Sequence, residues 1–174
     1  MVLLKLSPNR KCEKMKLFEH ITKNDFISLN KTKTRTWING QNFYFILEEF
    51  SKVDEMGHWT LKIELKQNGF GEIINVDLVG KCHLKSKTKS SIRIVSSSFI
   101  LFWKRKNLKN AFQIRSNHSL LKLKDIENNL EPFLNNYIDI NKEGDSVQFN
   151  INFSKDNEDL LFHLFEIIKI ISFS

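Results

Sequence analysis

Trp103, Lys104, Arg105, Lys106 and Lys109 fall within seven residues and form the chain's densest group of side chains able to act on a ligand. Lysine and arginine displace the counterions of phosphates, and an aromatic face stacks on a base, so the grouping suits nucleic acid. It lies inside residues 78–124, which hold twelve Lys and Arg and no Asp or Glu, with Phe99, Phe102 and Phe112 interleaved. Residues 37–77 carry three basic and seven acidic positions, and 125–174 three and ten, so the positive charge is concentrated there and in the first 36 residues. A solvated basic face would give the same charge count; the interleaved aromatics are what favour a polyanion.

Catalytic chemistry has little to stand on. The five histidines, His20, His58, His83, His118 and His163, are scattered, and there is no glycine-rich phosphate loop, HExxH or nucleophile elbow. Cys12 and Cys82 are seventy positions apart, which supports neither a disulfide framework nor a cysteine zinc site and fits a reducing compartment. An enzyme, a metal and a cofactor are therefore not expected. The N-terminus has a four-residue apolar start, shorter than a signal peptide's hydrophobic region, so secretion is not expected. No run reaches the ~20 apolar residues of a spanning helix, so no membrane association is expected either.

These side chains need elements to position them. Residues 1–36 read as a basic, partly disordered N-terminal extension around a short helix, Lys14–Thr22. From residue 37 to 153 the period is two. Phe43, Phe45 and Leu47 share one face of a strand and are expected inward, with Tyr44 outward; Trp59, Leu61, Ile63 and Leu65 alternate with Thr60, Lys62, Glu64 and Lys66. Further strands are expected over 72–79, 91–103, 111–115 and 146–153, and a helix over 125–135 that Pro132 limits. The basic loop 104–110 then joins two strands, and the outward residues Tyr44, Lys62, Lys66, Arg93 and Arg115 would line a groove leading to it. Tyr44 and Trp103 are the expected stacking residues.

Residues 154–174 form a third part. Nine of the twelve residues from Leu160 to Ile171 are apolar, and a single sheet face does not cover a helix of that circumference. Leu160, Leu161, Leu164, Phe165, Ile167, Ile168 and Ile171 are therefore expected to meet a partner protein, with burial in the chain's own core as the alternative.

The stretch FYFILEEFSKVDEMGHWTLKIELKQNGFGEIINVDLVGK, from Phe43, resembles the first three strands of an OB-fold, and SSIRIVSSSFILFWKRKNLKNAFQIRSNHSLLKLKD, Ser90–Asp125, is similar to its last two strands in the single-stranded-DNA-binding proteins of the replication protein A and telomeric CST type. The resemblance covers about half the chain and rests on phase and spacing. It implies a five-stranded Greek-key barrel plus a C-terminal helix, single-stranded DNA or RNA as ligand, and a nuclear telomere or replication complex as setting. By position, Lys62, Lys66 and the Trp103–Lys109 loop would contact the strand, and the terminal helix would pack on another OB-fold subunit. The acidic loop with Asp54 and Glu55 and the extra elements between Ile126 and Phe153 depart from that pattern. The competing class is a peptide-binding β-sandwich similar to the MATH domain, from Trp37, Trp59 and Cys82; its Pro-Asp-Asp stretch is missing.

Overall fold

A computed structural model describes residues 16–70, 72–86, 89–96, 111–117, 123–153 and 159–173. The Trp103–Lys109 loop lies outside these residues. The elements run α1 (Lys16–Lys23), β1 (Ile27–Ile38), β2 (Gln41–Val53), β3 (Gly57–Asn68), β4 (Ile73–Leu84), β5 (Ser91–Ser96), β6 (Phe112–Ser116), α2 (Leu123–Leu130), a single 3-10 turn at Glu131–Phe133, β7 (Tyr137–Glu143), β8 (Ser146–Phe153) and α3 (Leu160–Ser172). All eight strands join one antiparallel sheet in the order β1-β2-β3-β4-β8-β7-β5-β6. The chain is thus mainly β with a few helices, and its sheet is open, with β1 and β6 at the edges. Closure into a five-stranded barrel is not among these pairings.

Two-residue turns set the registers. Asn39 and Gly40 both have positive φ, 49° and 77°, as a type I′ hairpin between β1 and β2 requires. Gly144, at φ 59°, opens the loop between β7 and β8, where Glu143 pairs with Ser146. Cross-strand pairs then stack Trp59 on Cys82 and Val147, Leu61 on Gly80 and Phe149, and Ile63 on Leu78 and Ile151, all on one face. That face is buried beneath α3, with Leu17 and Ile21 of α1 and Ile126 and Leu130 of α2 in the same core.

Three expectations change here. Residues 27–36 belong to no extension: β1 pairs with β2 over its length, because Asn39-Gly40 folds it back. The phase of β2 is opposite to that expected. Phe50 (4% exposed) and Glu48 (7%) face the helices and Phe43, Phe45 and Leu47 the other side, because Phe50 sits opposite Leu61 in the register with β3. The helix α3 is core: Leu160, Leu161, Leu164, Ile167, Ile168 and Ile171 are buried within the chain, and Phe165 stacks on Phe26 at 5.8 Å with Trp59 edge-on to both rings. A sheet of eight strands covers what one of five would leave open, so six of these side chains are taken up by the chain's own core and Phe165, half-buried, packs against it.

The acidic β2–β3 turn is structural. Asp54 Oδ1 accepts hydrogen bonds from the backbone N–H of Met56 and Gly57 and from Trp59 Nε1, at 2.9, 3.1 and 3.1 Å, and Lys52 Nζ lies 2.9 Å from Oδ2. Burial alone pushes this carboxyl up, but the hydrogen bonds from Lys52, Trp59 and Gly57 and the Lys52 charge outweigh it and hold it below 3.8. A depressed carboxyl contributes stability above its unfolded pKa and loses it as pH falls through the folded one. Asp54→Ala is therefore expected to cost about 2 kcal/mol at pH 7, and urea titrations should show this difference shrinking as pH drops below 3.8.

Candidate nucleic-acid interface

Among the described residues the helices all lie on one face of the sheet, which leaves the other open to a ligand. Because strand residues alternate, every position opposite a core residue is presented there. On β3 these are His58, Thr60, Lys62, Glu64 and Lys66; on β4 they include Asp77, Val79, Lys81 and His83.

Register aligns these positions into rows that run across the strands. One row passes through Thr60 of β3, Lys81 of β4, Gln148 of β8, Asn141 of β7, Arg93 of β5 and Arg115 of β6, each opposite the next. It holds three cations, two amides and no acid. At ~4.8 Å per strand, Lys81 and Arg93 are roughly 14 Å apart and Arg115 lies one step beyond. The neighbouring row reads Glu49, Lys62, Val79, Asn150 and Asp139. The two rows line a groove of about 680 Å³ that spans the sheet from β1, where Leu29 contributes, to β5.

Electrostatics within the groove are mixed. Arg93 donates to Asp139 Oδ2 at 3.2 Å, an exposed pair that forms across β5 and β7. Lys62 stands opposite Glu49 across β2 and β3. Beyond the groove Glu64 faces Asp77, a like-charge pairing that destabilises a sheet. Asp77 is relieved by amides: Asn152 Nδ2 donates to one oxygen at 2.5 Å and Asn75 Nδ2 to the other at 3.0 Å. At the far end Lys66 sets its ammonium 4.8 Å from the Phe43 ring centre and 5.9 Å from that of Phe45.

Of the residues expected from sequence, Lys62, Lys66, Arg93 and Arg115 share this helix-free face, with Lys62 and Arg93 in the groove itself. Tyr44 is on the opposite face, where Lys33 covers its ring at 4.6 Å, a consequence of the β2 phase. Trp103, Lys104, Arg105, Lys106 and Lys109 lie outside the described residues. Lys81, Gln148 and Asn141 escaped sequence reasoning. Each is a polar residue opposite a core position, but their adjacency depends on β4 pairing with a strand more than sixty residues away.

Cys82 belongs to the core, and His83 beside it points to the helix-free face. Burial, reinforced by the Asp54 carboxylate, pushes the Cys82 thiol up to about 12, so it is not a nucleophile at neutral pH. Among the described residues no group of three or more His, Cys, Asp or Glu is placed to hold a metal ion, and no helix is long and apolar enough to cross a membrane. Compared with known proteins, the chain matches no family model, no curated protein and no solved structure.

Proposed function

We propose that this protein binds single-stranded nucleic acid, DNA or RNA, across the helix-free face of its sheet, and that its role is binding rather than catalysis. The observation that carries this reading is the unbroken row Thr60, Lys81, Gln148, Asn141, Arg93 and Arg115. Cations at three of its positions can neutralise phosphates along a strand, while the amides between them offer a donor and an acceptor each to sugar or base edges. A shallow open face suits a single strand, whose bases can splay onto it, better than the rigid cylinder of a duplex. The sequence between β5 and β6 carries Lys104, Arg105, Lys106 and Lys109, charges of the sign that such a ligand requires. The resemblance to OB-fold proteins extends the proposal to a nuclear telomere or replication setting, with the ligand held on a sheet face as in that family.

The test is a titration against a fluorescent single strand of about 18 nucleotides at several salt concentrations, with duplex as control. Each phosphate contact on a single strand contributes about 0.7 to the slope of log K against log salt. Replacing Lys81, Arg93 and Arg115 together by Ala is expected to lower that slope by roughly 2 and to weaken binding at low salt. Absence of single-strand binding by the natural chain, or an unchanged slope in the triple variant, would overturn the reading.

One observation favours the second reading, a peptide-binding adaptor: β1 is a twelve-residue edge strand exposed along its whole length, a place where an extended peptide can add a strand. Lys31, Lys33 and Arg35 on that edge work against it, since charge on an edge discourages strand addition.

A further inference from the structure

Resting on that reading, we infer that Phe43 and Phe45 form the base-stacking platform of the interface, in place of the aromatic expected at Tyr44. The row of cations and amides contains no aromatic residue, so by itself it would hold a strand by charge and hydrogen bonds, without stacking. Sheet pairing brings two rings to the same face. Phe43 and Phe45 alternate on β2, Phe45 stands opposite Lys66, and Lys66 is in phase with Lys62 of the groove. Residues two apart on one strand are ~6.8 Å apart, which sets two rings side by side for two successive bases of an extended strand.

Both rings are half-buried rather than sunk in the core, although core is the usual place for phenylalanine. The Lys66 ammonium lies over both, 4.8 and 5.9 Å from the two ring centres. An exposed cation–π contact is weaker than stacking of a base on an aromatic ring, so a base can displace the ammonium. The displaced Lys66 remains beside the platform, where the phosphate of the stacked nucleotide neutralises it. Neighbouring positions do not oppose a base: Thr34 and Thr36 of β1 pair with Phe45 and Phe43, and Asn75 of β4 pairs with Lys66. The route from groove to platform runs along β3 from Lys62 to Lys66, roughly 13 Å, past the carboxylates of Glu64 and of Asp77 opposite it, the second of which is held by the amides of Asn75 and Asn152.

The experiment compares a thymidine oligonucleotide, its uridine counterpart and an abasic strand of equal length. The natural chain is expected to bind the base-bearing strands on the order of 100-fold more tightly than the abasic one, about tenfold per ring. Phe43→Leu with Phe45→Leu should erase that preference while leaving abasic binding and its salt slope unchanged. Phe43→Tyr with Phe45→Tyr keeps both rings and should retain the preference, which separates stacking from any loss of folding in the leucine variant. Equal binding of abasic and base-bearing strands by the natural chain would overturn the platform and leave the phosphate-binding reading standing. A base preference that survives the leucine changes would also overturn it and move stacking to another aromatic. No binding of any strand would overturn both. The thymidine and uridine arms tell whether DNA or RNA is preferred.

Discussion

Lys142→Ala is expected to cost about 3–4 kcal/mol of stability, whereas Lys142→Met should stay within about 1.5 kcal/mol of the natural chain. Lys142 is fully buried on the core face of β7, between Ile92 and Val147 in the neighbouring strands. Its ammonium nitrogen donates to Ser90 Oγ and to the Ile171 carbonyl, each at 2.6 Å. The second contact satisfies a carbonyl of the last turn of α3, which has no partner within its own helix. Alanine removes the stem, opens a cavity and leaves that carbonyl and Ser90 without the lysine's hydrogen bonds. Methionine fills the space and no longer requires an amine to be desolvated.

The same residue carries a pH signature. Burial lowers the Lys142 pKa below 10.5. Between the lowered folded value and the unfolded one, the unfolded chain takes up a proton that the folded chain does not. Stability therefore rises with pH across that window, and the methionine variant should show a flatter rise. Urea melts of the three proteins at pH 7 and pH 10 read both effects. Equal losses for alanine and methionine would mean that the hydrogen bonds, not the packed stem, carry the contribution.

The second large effect concerns two glycines with no conformational reason to be glycine. A Cβ at Gly57 would overlap the His83 carbonyl oxygen and come within 2.8 Å of its carbon. At Gly80 it would collide with the Phe149 ring and come within 2.7 Å of Leu61 Cδ2. Side chains can yield where backbone cannot, and moving His83 would pull β4 away from β3. Gly57→Ala is thus expected to cost about 3 kcal/mol and Gly80→Ala about 2 kcal/mol. Combining Gly80→Ala with Phe149→Leu should cost less than the two single changes summed, a coupling that a double-mutant cycle measures. Strict additivity would mean that the ring is not the obstacle.

Much of the sheet was legible in the chain. Alternation identified β3 without fault, because Trp59, Leu61, Ile63 and Leu65 are each separated by a polar residue, and it placed β8 at the residues it occupies. Pro132 ends α2 close to where expected, in the 3-10 turn. Two strands were missed for opposite reasons. In β1 the residues are exposed on both faces, so no apolar face marks it; the Asn39-Gly40 pair was its one signal. In β7 the alternation of Ile138 and Ile140 continues into Lys142, and a lysine at a core position hides the strand's buried face.

The candidate site divides along the same line. That positive charge gathers in residues 78–124, and that Lys62, Lys66, Arg93 and Arg115 sit at outward phases, was determined by the order of residues alone, since side-chain direction in a strand follows a local period of two. Which of two faces is outward on β2 was not, because period two defines a pair of faces and only the register opposite Leu61 selects the buried one. Whether α3 is a partner surface or a core likewise waits on the area of sheet available to cover it. The row from Lys81 to Arg115 exists only because β4 pairs with β8 and β7 with β5, contacts between segments far apart in the chain. Local chemistry is written in the order of residues; adjacency across strands is decided by the pairing that buries the most apolar surface, and that is a property of the whole fold.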